Sequence, residues 1–569
     1  MATHHTELSL YHGVHPWQRL KQWLKLESTE IWVAAVYTAA TGLVSLMLPI
    51  AVQAVVNTVA FGTLLQPLVV LTLLVFVALT FVTVLNACRH WVVELIQRRI
   101  FVRMAGEVTH KLLNVEPGAL DRHHGPELVN RFLEVVTVQK AGAGLLMEGL
   151  TVMVQTVIGM MLLGVYHPFL LAFDVLLVAS ILLVVFPLGA GAIPTSVQES
   201  KAKYGLVAWL EEVARHQIAF KSGAGAALAL RKTNGLVEDY LNYRGKHFRV
   251  LMRQVIGSYT LQALASATLL GVGGWLVISR QMTLGQLVAA EIVVALVVSG
   301  FTKFGKHLES FYDLMASLDK LGYLTDLPVE RETGGPAAPA AGGAAVRMVG
   351  VSVHAGHRGK LLEGVNLELE AGARVALVGG TGSGKSTLLD LLYGLKQPHS
   401  GYVEIDGRDC RDVKLTDLRN QVGLVREPQI FEGAILENLQ LGDAAMTVEQ
   451  ASAALAQVGL LDSVLRLPGG LGTKLSTGGL PLSPGQRVQL EVARALAHRP
   501  RLLILDECLD WLDDLPQRGA VIDFLFDRRR GWTLIVVTHA QDILERCDRV
   551  YQVQSQKVTL RNQAAEVKP

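Results

Sequence analysis

Six apolar runs, each close to the ~20 residues needed to cross a bilayer as a helix, fill the first half of the chain. They lie at roughly 31–53, 68–93, 146–166, 168–192, 255–278 and 285–303. No other feature narrows the fold as much, because in lipid each backbone N–H and C=O must be paired within the structure itself, which leaves helices and closed barrels. An even number of crossings returns the chain to its starting side. The connections NTVAFGTLLQ and YHP carry no Lys or Arg, and the one after the fifth run carries only Arg280. By contrast, 97–140 holds Arg98, Arg99, Arg103, Lys111, Arg122, Arg131 and Lys140, and 201–253 is similarly basic. The positive-inside bias therefore places these long segments and both termini in the cytoplasm. Their helix-forming composition predicts that they continue the membrane helices outward rather than forming loops.

Composition agrees with a membrane part: 50% of the 569 residues are hydrophobic and 18% are charged. The 52 Lys and Arg nearly balance 50 Asp and Glu, so no global basic charge points to nucleic acid, and none is expected as a partner. Cys88, Cys410, Cys508 and Cys547 form no CxxC pair, which argues against a zinc site or a disulfide framework. The first thirty residues do not read as a cleavable leader. Trp17, Leu20, Trp23, Leu24 and Leu26 set against Arg19, Lys21 and Lys25 predict an amphipathic helix on the membrane surface, in contact with lipids. His4, His5, His12 and His15 are read as solvated tail residues rather than metal ligands.

The expected organisation is a tail and elbow helix over 1–30, a six-helix membrane domain over 31–327, a Pro/Gly/Ala-rich linker over 328–345 and a soluble α/β domain over 346–569. In that last domain, ARVALVGGTGSGKSTLLDLL carries an apolar strand into a glycine turn and out as a helix. Gly379, Gly384, Lys385 and Ser386 satisfy GxxxxGK[ST], with Gly380, Thr381, Gly382 and Ser383 between them and Thr387 following. Glycines let backbone N–H groups curl round phosphates, a lysine neutralises the β and γ oxygens, and a serine hydroxyl can sit on Mg²⁺. ATP or GTP binding follows from this motif. In RLLILDECLDWLDD a buried strand ends at Asp506 and Glu507, one carboxylate for a Mg²⁺ shell and one to polarise water. A third apolar strand, in WTLIVVTHA, ends at His539, placed to reach a γ-phosphate.

The stretch PLSPGQRVQLEVARAL reads as a helix start, with Ser483 as N-cap, Pro484 at the first position and Gln486 completing a capping box. Such a start is also an anion site. With the P-loop, SPGQR, LLILDE and TH in this order after six spans, the chain resembles the ATP-binding cassette half-transporters of the exporter type. It is most similar to the branch serving type I secretion or efflux. The implied fold is an α-helical polytopic membrane domain of the type I exporter (type IV ABC) kind plus an α/β P-loop NTPase domain, in a cell membrane that is expected to be the bacterial inner membrane. The resemblance implies that two chains pair head to tail, each ATP lying between the P-loop of one and Ser483, Gly485 and Gln486 of the other. It assigns Mg²⁺ to Ser386 and Asp506, the catalytic base to Glu507, the switch histidine to His539 and cross-dimer signalling to Asp513. Coupling helices are expected near 120–127 and 211–221.

Three positions depart from that pattern. Arg426 stands where glutamine is usual, and a guanidinium beside Mg²⁺ is repelled, so it is expected to turn to phosphate or to an acidic neighbour. Ala355, between His354 and His357, stands where an aromatic would stack on adenine; a histidine taking over and a weaker site with no substitute both stay open. Pro484 removes one N–H donor from the anion site. These departures leave a heterodimer open, although a homodimer is favoured, and a periplasmic adaptor is a further partner to test. Asp174 and Glu291 lie inside apolar runs, which implies inward or water-facing positions, Asp174 near the outer interface and Glu291 deeper in its span, facing a cationic or hydrogen-bonding substrate. The expected activity is ATP-driven export; the alternative is an ATP-gated membrane protein without net pumping.

Overall fold

All six apolar runs become helices, and the places where they break are set by proline. The computed structural model describes residues 15–60, 65–120, 125–302, 304–337, 341–354, 359–512 and 517–561. It divides into two compact units, Met1–Val329 and Glu330–Pro569. Among the described residues of the first, five stretches are long and apolar enough to cross a membrane: Ser28–Thr58, Leu68–Leu113, Leu128–Tyr166, Pro168–Val185 and Gly223–Ile278. The sixth run is the helix Leu284–Thr302. The first run is two helices, Ser28–Ser45 and Met47–Ala60. Pro49 lacks an N–H and its ring crowds the carbonyl of Ser45, whose hydroxyl donates back to Gly42 O at 2.7 Å. The fourth run stops at Val185, and a turn through Pro187 leads to the helix Ala192–Arg215.

Two helices far exceed a bilayer. Leu65–Leu113 has 49 residues and Gly223–Ile278 has 56, or about 74 and 84 Å at 1.5 Å per residue against a ~30 Å hydrocarbon core. The first packs with the helix Phe304–Thr325 around Met104, Val108, Val135, Leu318, Leu321 and Leu324, and the second packs on the same helix through Val250 and Leu251 against Leu308 and Tyr312, all buried. The second expected coupling segment contains the short helix Gln217–Phe220. The first overlaps the short helices Pro117–Leu120 and Gly125–Asn130, with 121–124 outside the described residues, as are His4, His5, His12, Ala355, His357 and Asp513.

The amphipathic N-terminal helix forms over Pro16–Leu26, with His15 as N-cap accepting from Trp17 N. One of its residues departs from the expected polar face. Arg19 is buried and donates to Thr325 Oγ1 at 2.7 Å and to Asp326, so the helix is pinned by a charge as well as by Trp17 against Phe311.

The second unit is built on a six-stranded sheet in the order Lys557–Leu560, Arg549–Gln554, Arg374–Val378, Thr533–Val537, Leu502–Asp506, Val422–Val425. Every neighbouring pair except the first is parallel. Arg374–Val378, Thr533–Val537 and Leu502–Asp506 are nearly continuous apolar runs because they are covered on both faces. A second, antiparallel sheet joins Lys360–Leu369, Val346–His354, Ser400–Ile405 and Arg408–Asp409. The start of the expected linker packs on this unit: Arg331 donates to Cys410 O at 2.6 Å and Val413 O at 2.9 Å, and Arg419 pairs with Glu330 at 2.6 Å.

Candidate nucleotide site

Parallel strands present all their carboxyl ends at one edge of a sheet, and ligands of open α/β sheets bind there. Here that edge carries the loop after Val378, Asp506 and Glu507 after Leu505, Thr538 and His539 after Val537, and Arg426 after Val425. The register pairs Val537 with both Leu377 and Asp506, and Val425 with Leu505. Residues 31, 80 and 160 positions apart in sequence are thereby brought side by side.

The glycine loop turns where only glycine fits. Gly379 and Gly384 have φ of +158° and +108°. A Cβ on Gly379 would stand 2.3 Å from Val553 O, and one on Gly384 2.9 Å from Leu362 Cδ2. The helix Lys385–Leu392 follows immediately with Gly384 as its N-cap, so its first N–H groups open onto the loop. Lys385 is buried and its Nζ donates to Gly379 O at 2.7 Å and Gly380 O at 3.2 Å. The same ammonium lies 3.6 Å from Glu507 Oε1. Thr387 is buried, while Gly380, Thr381, Gly382 and Ser386 are exposed at the mouth. Ser383 Oγ is a buried hydroxyl without a hydrogen-bond partner. A cradle of N–H groups, a buried ammonium and an orphaned hydroxyl fit a polyphosphate.

Glu507 adopts φ of +55°, a left-handed conformation that costs a non-glycine residue about 1–3 kcal/mol. Its N–H bond to Val537 O at 3.0 Å holds it there, and the side chain is left half exposed beside Lys385. Such strain aims the carboxylate away from the strand line and toward the loop. His539 is exposed at the next strand end, behind Thr538, whose hydroxyl bonds Asp510 Oδ1 at 3.1 Å.

Arg426 is turned to acidic neighbours. Its Nε donates to Asp506 Oδ2 at 2.8 Å, one terminal nitrogen to Asp390 Oδ1 at 2.7 Å, and the other to Ser386 O at 3.0 Å. Burial lifts the Asp506 carboxyl above its ordinary value, against the pull of Arg426. Arg426 thus bridges the Asp506 carboxylate and the main-chain carbonyl of Ser386, and with the guanidinium on it that carboxylate does not fit Mg²⁺ as it is. Asp390, which also pairs with Lys396 at 2.8 Å, escaped the sequence reading: an acid on a helix reads as surface, and its only signal is its place one turn after Ser386. Arg426, Ser386, Asp506 and Glu507 line a cavity of about 670 Å³.

The helix Pro484–Ala497 begins with the expected capping box: Ser483 Oγ accepts from Gln486 N at 3.3 Å, and Gln486 Oε1 accepts from Ser483 N at 2.9 Å. Ser483 is exposed and its O–H remains a donor. Among the described residues, the walls of the Arg426 cavity do not include Ser483, Gly485 or Gln486. The His354 ring packs on His399, with centroids 4.9 Å apart.

Residues 31–300 match the family model of the ABC transporter transmembrane region, and residues 362–510 that of the ABC transporter. The chain belongs to the ABC transporter family. This ABC transporter is 32% identical to the mycobactin import ATP-binding/permease protein IrtB of Mycolicibacterium smegmatis over 345 residues, 60% of this chain and 59% of that protein. It is 29% identical to the alpha-hemolysin translocation ATP-binding protein HlyB of Escherichia coli O157:H7 over 313 residues, 54% of this chain and 44% of that one. The match thus spans about half the length of these relatives. Its fold is shared with a bacterial Atm1-family ABC exporter with ATP bound, at a TM-score of 0.80 and 19% identity over 94% of each chain. It is a multi-pass membrane protein with an ATP-binding cassette.

Proposed function

We propose that this chain is one half of an ATP-driven exporter that works as a dimer, with its cassettes and both termini in the cytoplasm of a bacterial cell. The observation that carries the proposal is the meeting of Lys385 and Glu507 at 3.6 Å, at the sheet edge where the glycine loop ends. Lys385, Ser383 and the N–H groups of Gly379, Gly380, Thr381, Gly382 and Gly384 hold the phosphates. Glu507 takes the proton of the attacking water, and His539 orients the γ-phosphate. Ser386 and Asp506 are the proposed Mg²⁺ ligands, an ion whose charge would offset that of the phosphates, and they are available to it only with Arg426 turned aside. Ser483, Gly485 and Gln486 serve the nucleotide on the partner chain, which the exposure of Ser483 and the absence of all three from the Arg426 cavity support. Asp513 signals across the pair. A homodimer is favoured because Lys385, Glu507 and His539 are all present in one chain.

The test is Glu507→Gln in the full chain reconstituted into vesicles. Loss of a positioned base costs on the order of 10²–10⁴ in rate, so ATP turnover and transport should both fall at least about 100-fold while ATP binding persists. Transport that survives or lengthens in this variant would instead support an ATP-gated conduit. The similarity to IrtB, a mycobactin import protein, favours a second reading, uptake, and ATP-dependent accumulation in inside-out vesicles rather than its reverse separates export from that.

A further inference from the structure

We infer that Arg426 is a built-in cation of the nucleotide site, which competes with Mg²⁺ for Asp506 and makes nucleotide binding less dependent on the metal. The inference rests on the reading of this sheet edge as an ATP site.

Three independent contacts fix the guanidinium. The parallel register at Val425 and Leu505 makes Arg426 and Asp506 the next residues on neighbouring strands, and Arg426 Nε meets Asp506 Oδ2 at 2.8 Å. Its terminal nitrogens reach Asp390 Oδ1 at 2.7 Å and Ser386 O at 3.0 Å. The planar fork of an arginine suits this three-way hold, and its charge is permanent. It holds the carboxylate that would otherwise coordinate a divalent ion, and it bonds the main-chain carbonyl of Ser386 beside it. Bringing Mg²⁺ to Asp506 sets two positive charges against one at short range, in a site where water screens poorly, or else breaks the contacts of Arg426.

The charge balance points the same way. Asp390, Asp506 and Glu507 pair with Lys385, Lys396 and Arg426, while Glu427 and the Arg494-paired Glu491 also line the cavity. Removing Arg426 leaves the site one unit more negative, which attracts a divalent cation and repels a metal-free polyphosphate. With Arg426 the protein already supplies part of what Mg²⁺ supplies.

The full chain in detergent is titrated calorimetrically with the β,γ-imido analogue of ATP, once in EDTA and once in excess Mg²⁺. In Arg426→Gln, metal-free affinity should weaken while affinity with Mg²⁺ stays level or tightens, so that the ratio of the two dissociation constants grows about tenfold over that of the parent chain. Arg426→Lys keeps the charge but not the fork, and its ratio should lie between the two. A ratio unchanged within twofold in Arg426→Gln overturns the inference, and so does equal weakening in both conditions, which is what damage to the fold would produce. A parent chain that binds the analogue in neither condition overturns the ATP-site reading and this inference with it.

Discussion

Glu491 in the nucleotide unit and Asp174 in the membrane unit are buried acids handled in opposite ways. In the nucleotide unit Glu491 and Arg494 meet at 2.6 Å, and the remaining polar atoms are satisfied too: Arg494 donates to Asn438 O at 2.6 Å, Asn438 Oδ1 at 3.0 Å and Gln429 O at 2.9 Å, while Glu491 Oε1 accepts from Gln429 N at 2.6 Å. In the membrane unit Asp174 is 1% exposed on the buried stripe of Leu170, Leu177 and Val184, and neither of its oxygens has a hydrogen-bond partner among the described residues. Glu291 Oε1 is likewise buried and unpartnered. The nucleotide unit neutralises Glu491 within one chain, whereas Asp174 and Glu291 carry a cost that must be met from outside the chain, by a second copy, a substrate or a proton.

The sharpest way to break this comparison is to remove one partner from a satisfied pair. Arg494→Ala strands Glu491 and the carbonyls of Asn438 and Gln429 in a buried position, and losing one member of a buried pair costs about 3–5 kcal/mol. The melting transition of the nucleotide unit, followed by calorimetry on the full chain, should drop steeply. A shift of only a degree or two would mean that the network is decoration and that the two units do not differ in this respect.

The same contrast explains what the sequence made legible. The P-loop, Asp506–Glu507 and the capping box at Ser483 were readable because each is contiguous: strand, turn and helix carry their chemistry within about ten residues. That Arg426 would avoid a metal was readable from its charge, but Asp506 and Asp390 as its partners depend on strand register and on which face of the P-loop helix points inward. Arg19 was misplaced for the same reason. Its helical period puts it on the polar face, and the Thr325 and Asp326 that bury it lie some three hundred residues on. Pro49 was visible, yet the length of the apolar run outweighed it. Contacts between distant elements override local pattern at these positions.

A second test lies between the two extremes, in the part of the first unit outside the spans. Lys320 is buried, its Nζ donates to Ser200 O at 2.8 Å and faces the Tyr204 ring, and burial pushes its pKa down to about 6. Glu134 nearby is bonded by Tyr204 and Ser317, each at 2.6 Å. Because the folded-state pKa lies below the ordinary lysine value near 10.4, the unfolded chain binds the extra proton between these values. Stability therefore rises with pH across that window, by up to about 1.4 kcal/mol per pH unit, and the penalty is complete below pH 6. Lys320→Met keeps the volume and removes the titration, so its melting temperature should change less between pH 6.5 and 9 (about two and a half units of the window) than that of the parent. Equal slopes in the two chains would show that Lys320 stays charged and belongs with the satisfied groups.

The smallest expected effect falls on Asp174. If its carboxyl has no partner, replacing it with the isosteric amide removes no ion pair and no hydrogen bond, and Asp174→Asn should shift thermal stability by less than about 1 kcal/mol, within the range of substitutions that touch no special feature. The near-silence is informative only because Arg494→Ala is not silent in the same chain. A loss comparable to that of Arg494→Ala would instead mean that Asp174 is paired in the working assembly, by a group that one chain does not contain. Melting the variant with and without a crosslink that holds two copies together then locates that group: a loss that deepens in the crosslinked pair places the partner on the second copy, whereas a loss independent of the crosslink places it on a bound cation.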